Sequence, residues 1–246
     1  MTVNMMGMLD FQSDPSTLQG RDEGLLGFQH VVKREYSQFD LDNVFDMATG
    51  ETFPHEHVVI THIFQPRWRK FLPLFTSSTN IDDAPNSLML YTPVAWAFNR
   101  GKLCIQVDSV GKMSFHLFDD DLRDVSLASK ARSSQPEPRP TDEALGTLGL
   151  TFGEHDLTFG DLDGKEVQIP VGSTMRPSKR LLALHAYAAW LKSWSLHPSI
   201  QFPIPRHIFS DEGAIGTNRP ALGYSIEQWR LAVHPNLPVS KLRQSP

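Results

Sequence analysis

His62 closes a β-branched run, Val58 to Ile63, just before Gln65-Pro66, where an imidazole can face a cleft and act as general base or hydrogen-bond partner. Its plainer role is a histidine satisfied by a backbone carbonyl. Asn86 follows Pro85 at a turn, a position where an asparagine either joins a site or caps its own backbone. Arg67-Trp68-Arg69-Lys70 places three cations around an indole. Such a group can grip a phosphate backbone with Trp68 stacked on a base, or hold a small ligand's carboxylate through a bidentate arginine. It can also be an amphipathic connector with Trp68 and Phe71 buried. His55-Glu56-His57 invites a metal reading, because on a strand both imidazoles point the same way. His62 would then face the opposite side, and a surface pair of histidines is the simpler account. Tyr91 adds a hydroxyl donor, and Trp96 and Phe98 add apolar rings on the segment that follows.

These residues need elements to hold them. Val58 to His62 reads as a strand, a polar connection runs through Thr79, Asn80 and Asp83, and Thr92-Pro93 reads as a helix start with Thr as cap. A second strand signal runs from Leu103 to Val107, and Met113, Phe115 and Leu117 alternate with polar residues in a third. Residues 25 to 45 read as weak strands, and residues 1 to 24, without periodicity, as a flexible arm. Residues 128 to 142 are Ser/Pro-rich and read as a linker or loop. The tandem copies LTFGEHD and LTFGDLD, followed by Asp163-Gly164, predict a β-hairpin region. Ser178 to Leu196 is the strongest helix, with Leu181, Leu184, Ala188 and Leu191 on one stripe and further apolar residues widening it, so burial is expected. Ser225 and Gln228 form a capping-box signal for a short helix.

The order of strand with His, loop with Asn, and helix ending in Phe-Asn resembles the ββα-metal core of HNH endonucleases. The likeness is to the large fungal group with the motif Ala-His-Ile-x-Pro, Asn-x-x-x-Leu, His-x-x-Phe-Asp. The first His falls on His62, the Asn on Asn86, the last His on Ala95 and the Phe-Asp pair on Phe98-Asn99. In that family the first His activates water, the Asn orients it and the last His helps to hold a divalent ion. The resemblance covers roughly residues 49 to 195 and implies an α+β fold built on a ββα core, with added hairpins and a buried C-terminal helix; residues 25 to 246 are expected to form a single domain. Alanine at position 95 has no lone pair for a cation, so the resemblance implies a scaffold without that ligand. Trp96 and Phe98 flank the altered position and would make it drier.

Composition narrows the partners. The chain of 246 residues is 40% apolar and 21% charged, ordinary for a globular protein. Its net charge of −5 argues against nucleic acid as the main partner. The single cysteine, Cys104, excludes an internal disulfide and reads as a buried residue. No signal peptide or membrane-length apolar run is evident, so a soluble, cytoplasmic protein is expected. Three functions follow as expectations. The first is a metal-independent, cofactor-free enzyme of terpenoid or polyketide biosynthesis that folds and cyclises an apolar substrate, as a Diels-Alderase does. There His62, Arg67 or Tyr91 would supply a polar donor, and Trp68, Asn86, Trp96 and Phe98 would line the substrate site. The second is a metal-dependent HNH nuclease using His62 with Asn99, His116 or another ligand. The third is a non-catalytic binding protein, favoured if the surface around His62 is closed.

Overall fold

A computed structural model describes residues 22–133 apart from 39 and 41, residues 157–196, and Trp229. The fold is mixed α+β. Among the described residues the strands form three separate antiparallel pairs. Most of the arm at 1 to 24, the remainder of the 128 to 142 segment, the first LTFGEHD copy and the Ser225–Gln228 signal lie outside the described residues.

The chain enters through α1 (Asp22–Glu35), where weak strands were expected. Val31-Val32 suggests a strand locally, but Phe28 and Val32 stand one helical turn apart, are both buried, and lead into buried Tyr36. Lys33 and Arg34 in the last turn suit the negative end of the helix. The strands β1 (Asn43–Phe45) and β2 (Thr52–Pro54) then pair with Val44 opposite Phe53. Asp46 organises the turn between them. Its buried carboxylate accepts from the N–H of Thr49 (2.9 Å) and of Ala48 (3.2 Å), and from the Thr49 hydroxyl (2.7 Å). Gly50 completes the turn at φ +82, in the left-handed region that glycine tolerates.

The ββα unit anticipated from the motif is present as local geometry. β3 (Val58–His62) pairs antiparallel with β4 (Ser87–Tyr91), from Val58 opposite Tyr91 to His62 opposite Ser87. Helix α3 (Thr92–Asn99) follows directly. Thr92 does not cap it. Its hydroxyl donates to the His57 carbonyl at 2.9 Å, tying the helix start to the residue before β3. Residues 63–86 between the two strands hold a 3-10 stretch, Pro66–Phe71, the short α2 (Leu72–Phe75), and a 3-10 turn, Ala84–Asn86.

The pair β5 (Leu103–Val107) and β6 (Met113–Leu117) matches the alternation in sequence, with Ile105 opposite Phe115 in the core. Helix α4 (Leu127–Ser133) replaces the first part of the expected linker. The second LTFG copy is not a hairpin strand but a capped turn of helix, α5 (Phe159–Leu162). Thr158 and Asp161 cap one another there, which outweighs the strand-like Leu-Thr-Phe run. Gly164 turns at φ +81 as expected, but the segment after it lies along β6, with Val167 N–H bonded to the Met113 carbonyl at 2.9 Å. The last described element, α6 (Lys179–Leu196), is buried nearly all round and packs on β5. Among the described residues, no helix is long and apolar enough to cross a membrane.

Candidate functional site

Successive residues of a strand point to opposite faces, and β3 separates the motif on this account. Thr61 donates its hydroxyl to Asn99 Oδ1 at 2.8 Å, and Gln65 Nε2 reaches the same oxygen at 3.2 Å. Thr61 therefore faces α3. Ala95 lies one turn before Asn99 on the same stripe of that helix. His62 faces the other way. Its ring stacks on Phe28 of α1, with centroids 4.2 Å apart and planes 9° from parallel. Its Nε2 is 2.9 Å from Asp82 Oδ1, and Arg69 lies 3.6 Å from the other Asp82 oxygen. Burial lowers the His62 pKa, against the opposing pull of Asp82. A ring clamped between a helix and a loop stands where one facing a cleft was expected. The residue matched to the metal ligand, Ala95, is buried one turn from Asn99, whose side-chain oxygen is taken up by Thr61 and Gln65.

The other expected site residues are dispersed. Asn86 is buried, with Oδ1 accepting from Phe64 N–H at 2.7 Å and Nδ2 donating to the carbonyls of Ile81 (2.8 Å) and Phe64 (3.1 Å). It clamps the crossing of two loops, and its amide is committed to that task rather than to orienting water. Arg67 is exposed over the Trp68 ring at 4.9 Å. Trp68 is buried edge-on against Phe64 and Trp229, the connector arrangement rather than a grip on ligand. Tyr91 is buried and stacks on Phe53 at 5.0 Å. Half-buried Trp96 is surrounded by Lys130, Arg100 and Lys102, at 3.9, 4.8 and 5.5 Å from its ring. Phe98 is buried and stacks on His185 at 3.7 Å. The His185 Nε2 donates to the Phe98 carbonyl at 3.1 Å, and burial pushes its pKa down to about 3. Among the described residues the four rings make separate contacts, His62 on Phe28, Trp68 on Phe64 and Trp229, Trp96 under Lys130, and Phe98 on His185.

The His55-Glu56-His57 run and the surroundings of Cys104 hold further reactive side chains. His55 and His57 lie on a 3-10 turn, not a strand, with His57 buried and His55 exposed 3.3 Å from Glu56. Cys104 stands opposite His116 across β5 and β6, and His116 Nδ1 is 3.5 Å from Asp163. The Cys104 thiol is buried, and burial followed by the charge of Asp163 pushes its pKa well above the ordinary thiol range. Both effects disfavour the thiolate, the form that acts as a nucleophile. Among the described residues no group of three or more His, Cys, Asp or Glu is placed to hold a metal ion.

The concave chemistry lies elsewhere. A cavity of about 600 Å³ opens between residues 72–86 and the start of α6. Leu72, Phe75 and Leu181 give it an apolar floor, and Ser78, Asn86 and Ser178 are among its polar walls. Asp83, also in the wall, accepts from the Ser78 hydroxyl and from Asn80 Nδ2 at 2.7 Å. Arg180 turns inward from α6 and donates to the Phe75 carbonyl at 2.8 Å, joining the two sides. A second cavity of about 570 Å³ lies on the other side of the Arg176–Lys179 segment, against Gly111, Lys112, Glu166 and Gln168. Asn86 is the one sequence-predicted site residue that lines the first cavity, and none lines the second. The missed residues, Arg176, Ser178 and Lys179, carried one signal. Two cations, Lys179 and Arg180, open α6 at its positive end, against the usual charge preference of a helix. Comparison with protein-family models, with curated proteins and with solved structures finds no match.

Proposed function

We propose that this chain is a non-catalytic binding protein for a small molecule with an apolar body. The cavity between residues 72–86 and the start of α6 carries this reading. Its volume, about 600 Å³, falls in the range that encloses small ligands, and its floor is apolar with polar groups confined to the walls. The cyclase reading gave the polar donor's part to His62, Arg67 or Tyr91, and none of these three is in the lining. The nuclease reading needs His62 and the metal position to meet, and β3 holds them on opposite faces. The likeness to the HNH group then concerns the order of strand, loop and helix, with its catalytic positions turned to packing.

The test uses a neutral apolar fluorophore, N-phenyl-1-naphthylamine, titrated into the full chain. Ser77 is an exposed residue of the cavity wall, so Ser77→Trp fills the space without disturbing the core. Saturable binding to the parent chain, weakened about tenfold in the variant, is the expected result. Absence of binding, or equal binding by both proteins, overturns the reading.

A further inference from the structure

The wall shared by the two cavities is the segment Arg176, Pro177 and Lys179. Its cations outnumber the acids in the lining of both cavities. Asp83, in the wall of the first cavity, accepts from the neutral groups of Ser78 and Asn80 and keeps its charge, so the two cations exceed the acids there by one. Glu166, the acid of the second cavity, is 3.4 Å from Lys112. Arg176 donates to the carbonyls of Ser173 (2.9 Å) and Met175 (2.7 Å), which fix its guanidinium without neutralising it. Lys179 makes no ion pair or hydrogen bond with the described residues, and its ammonium lies over the bare Cα of Gly111. A cation there also adds to the positive end of an 18-residue helix, whose first turn holds no acid. Positive charge is therefore in excess at the positive end of a helix, on a protein whose net charge is −5, against the usual charge preference. Such conflicts fall at sites shaped by a ligand.

We propose that the ligand is an amphipathic anion, a medium-chain carboxylate. Its acid group lies between Arg176 and Lys179 and its chain lies on Leu72, Phe75 and Leu181. This rests on the small-molecule reading of the same cavity and adds the charge of the ligand to it. Burial of the chain supplies affinity, and charge-assisted bonds to the head group supply selectivity.

Titration calorimetry with decanoate and with 1-decanol, at concentrations below micelle formation, separates the two claims. Decanoate is expected to bind about tenfold more tightly than decanol, and the preference to shrink with added salt. Arg176→Ala and Lys179→Ala each weaken decanoate binding more than decanol binding and so reduce the preference, while Lys179→Arg restores it. Equal affinity for acid and alcohol, or a preference untouched in the Arg176→Ala/Lys179→Ala double variant, overturns the anion assignment and leaves the binding-protein reading standing. Failure of both ligands to bind overturns both.

Discussion

Replacing Asn86 distinguishes a clamp from a site residue. Asn86→Ala removes one acceptor and two donors, stranding the Phe64 N–H and the carbonyls of Phe64 and Ile81. A buried polar group left without a partner costs about 1–3 kcal/mol. Because Asn86 lines the cavity, water can reach part of the gap, which places each group near the lower figure. The expected loss is then about 3 kcal/mol, a large part of the stability of an ordinary domain. Asn86→Asp should be no better near neutral pH. Its carboxylate keeps the bond from Phe64 N–H but faces the two carbonyls that the amide served. Urea unfolding followed by tryptophan fluorescence measures the effect, with an unchanged slope confirming that the same transition is compared. A loss below about 1 kcal/mol for Asn86→Ala would refute the clamp and return this residue to the functional candidates.

Two other expectations follow from buried polar groups. Burial depresses His185 to about 3, so the folded chain refuses a proton that the unfolded chain accepts near 6.5. Its contribution to stability is whole above the unfolded value and is lost as pH falls toward the folded one, about 2 kcal/mol between pH 7 and pH 5. His62 and His116 are depressed by burial too and act in the same direction. Urea midpoints at the two pH values should converge for His185→Phe relative to the parent chain; an identical acid loss in both would contradict the assignment. At Asp46, the carboxylate also accepts from Tyr91 N–H at 2.8 Å, so Asp46→Ala detaches the β1–β2 turn from the end of β4. A loss of about 3–5 kcal/mol is expected, read by thermal melting followed by circular dichroism, and a shift of only a degree or two would show the turn to be independent.

Three strands and a helix start were legible: β3 from its β-branched run, β5 from its apolar run, β6 from its alternation and α3 from Thr92-Pro93, whereas β4, buried at every position, shows no alternation to read. The side of β3 that each residue faces was legible in principle too, since Thr61 and His62 must diverge. What α1 and α3 would place against each face was not. Helix α1 was obscured because Val31-Val32, Tyr36 and Phe39 favour strands locally while Phe28 and Val32 serve a helical stripe. The short α5 was obscured because Thr158 in the repeat reads as a strand residue until Asp161 is seen to cap with it. The cavity was beyond reach for another reason. Its two sides meet through Phe75 and Arg180, 105 residues apart, and no local pattern specifies such a meeting. Only the Lys179-Arg180 pair at the wrong end of a helix marked the place.

Crystallising the chain with 1-decanol tests the central claim most directly. The account predicts density for the alkyl chain on Leu72, Phe75 and Leu181, with the His62 ring still stacked on Phe28. Density beside a swung-out His62, with this cavity empty, would contradict it.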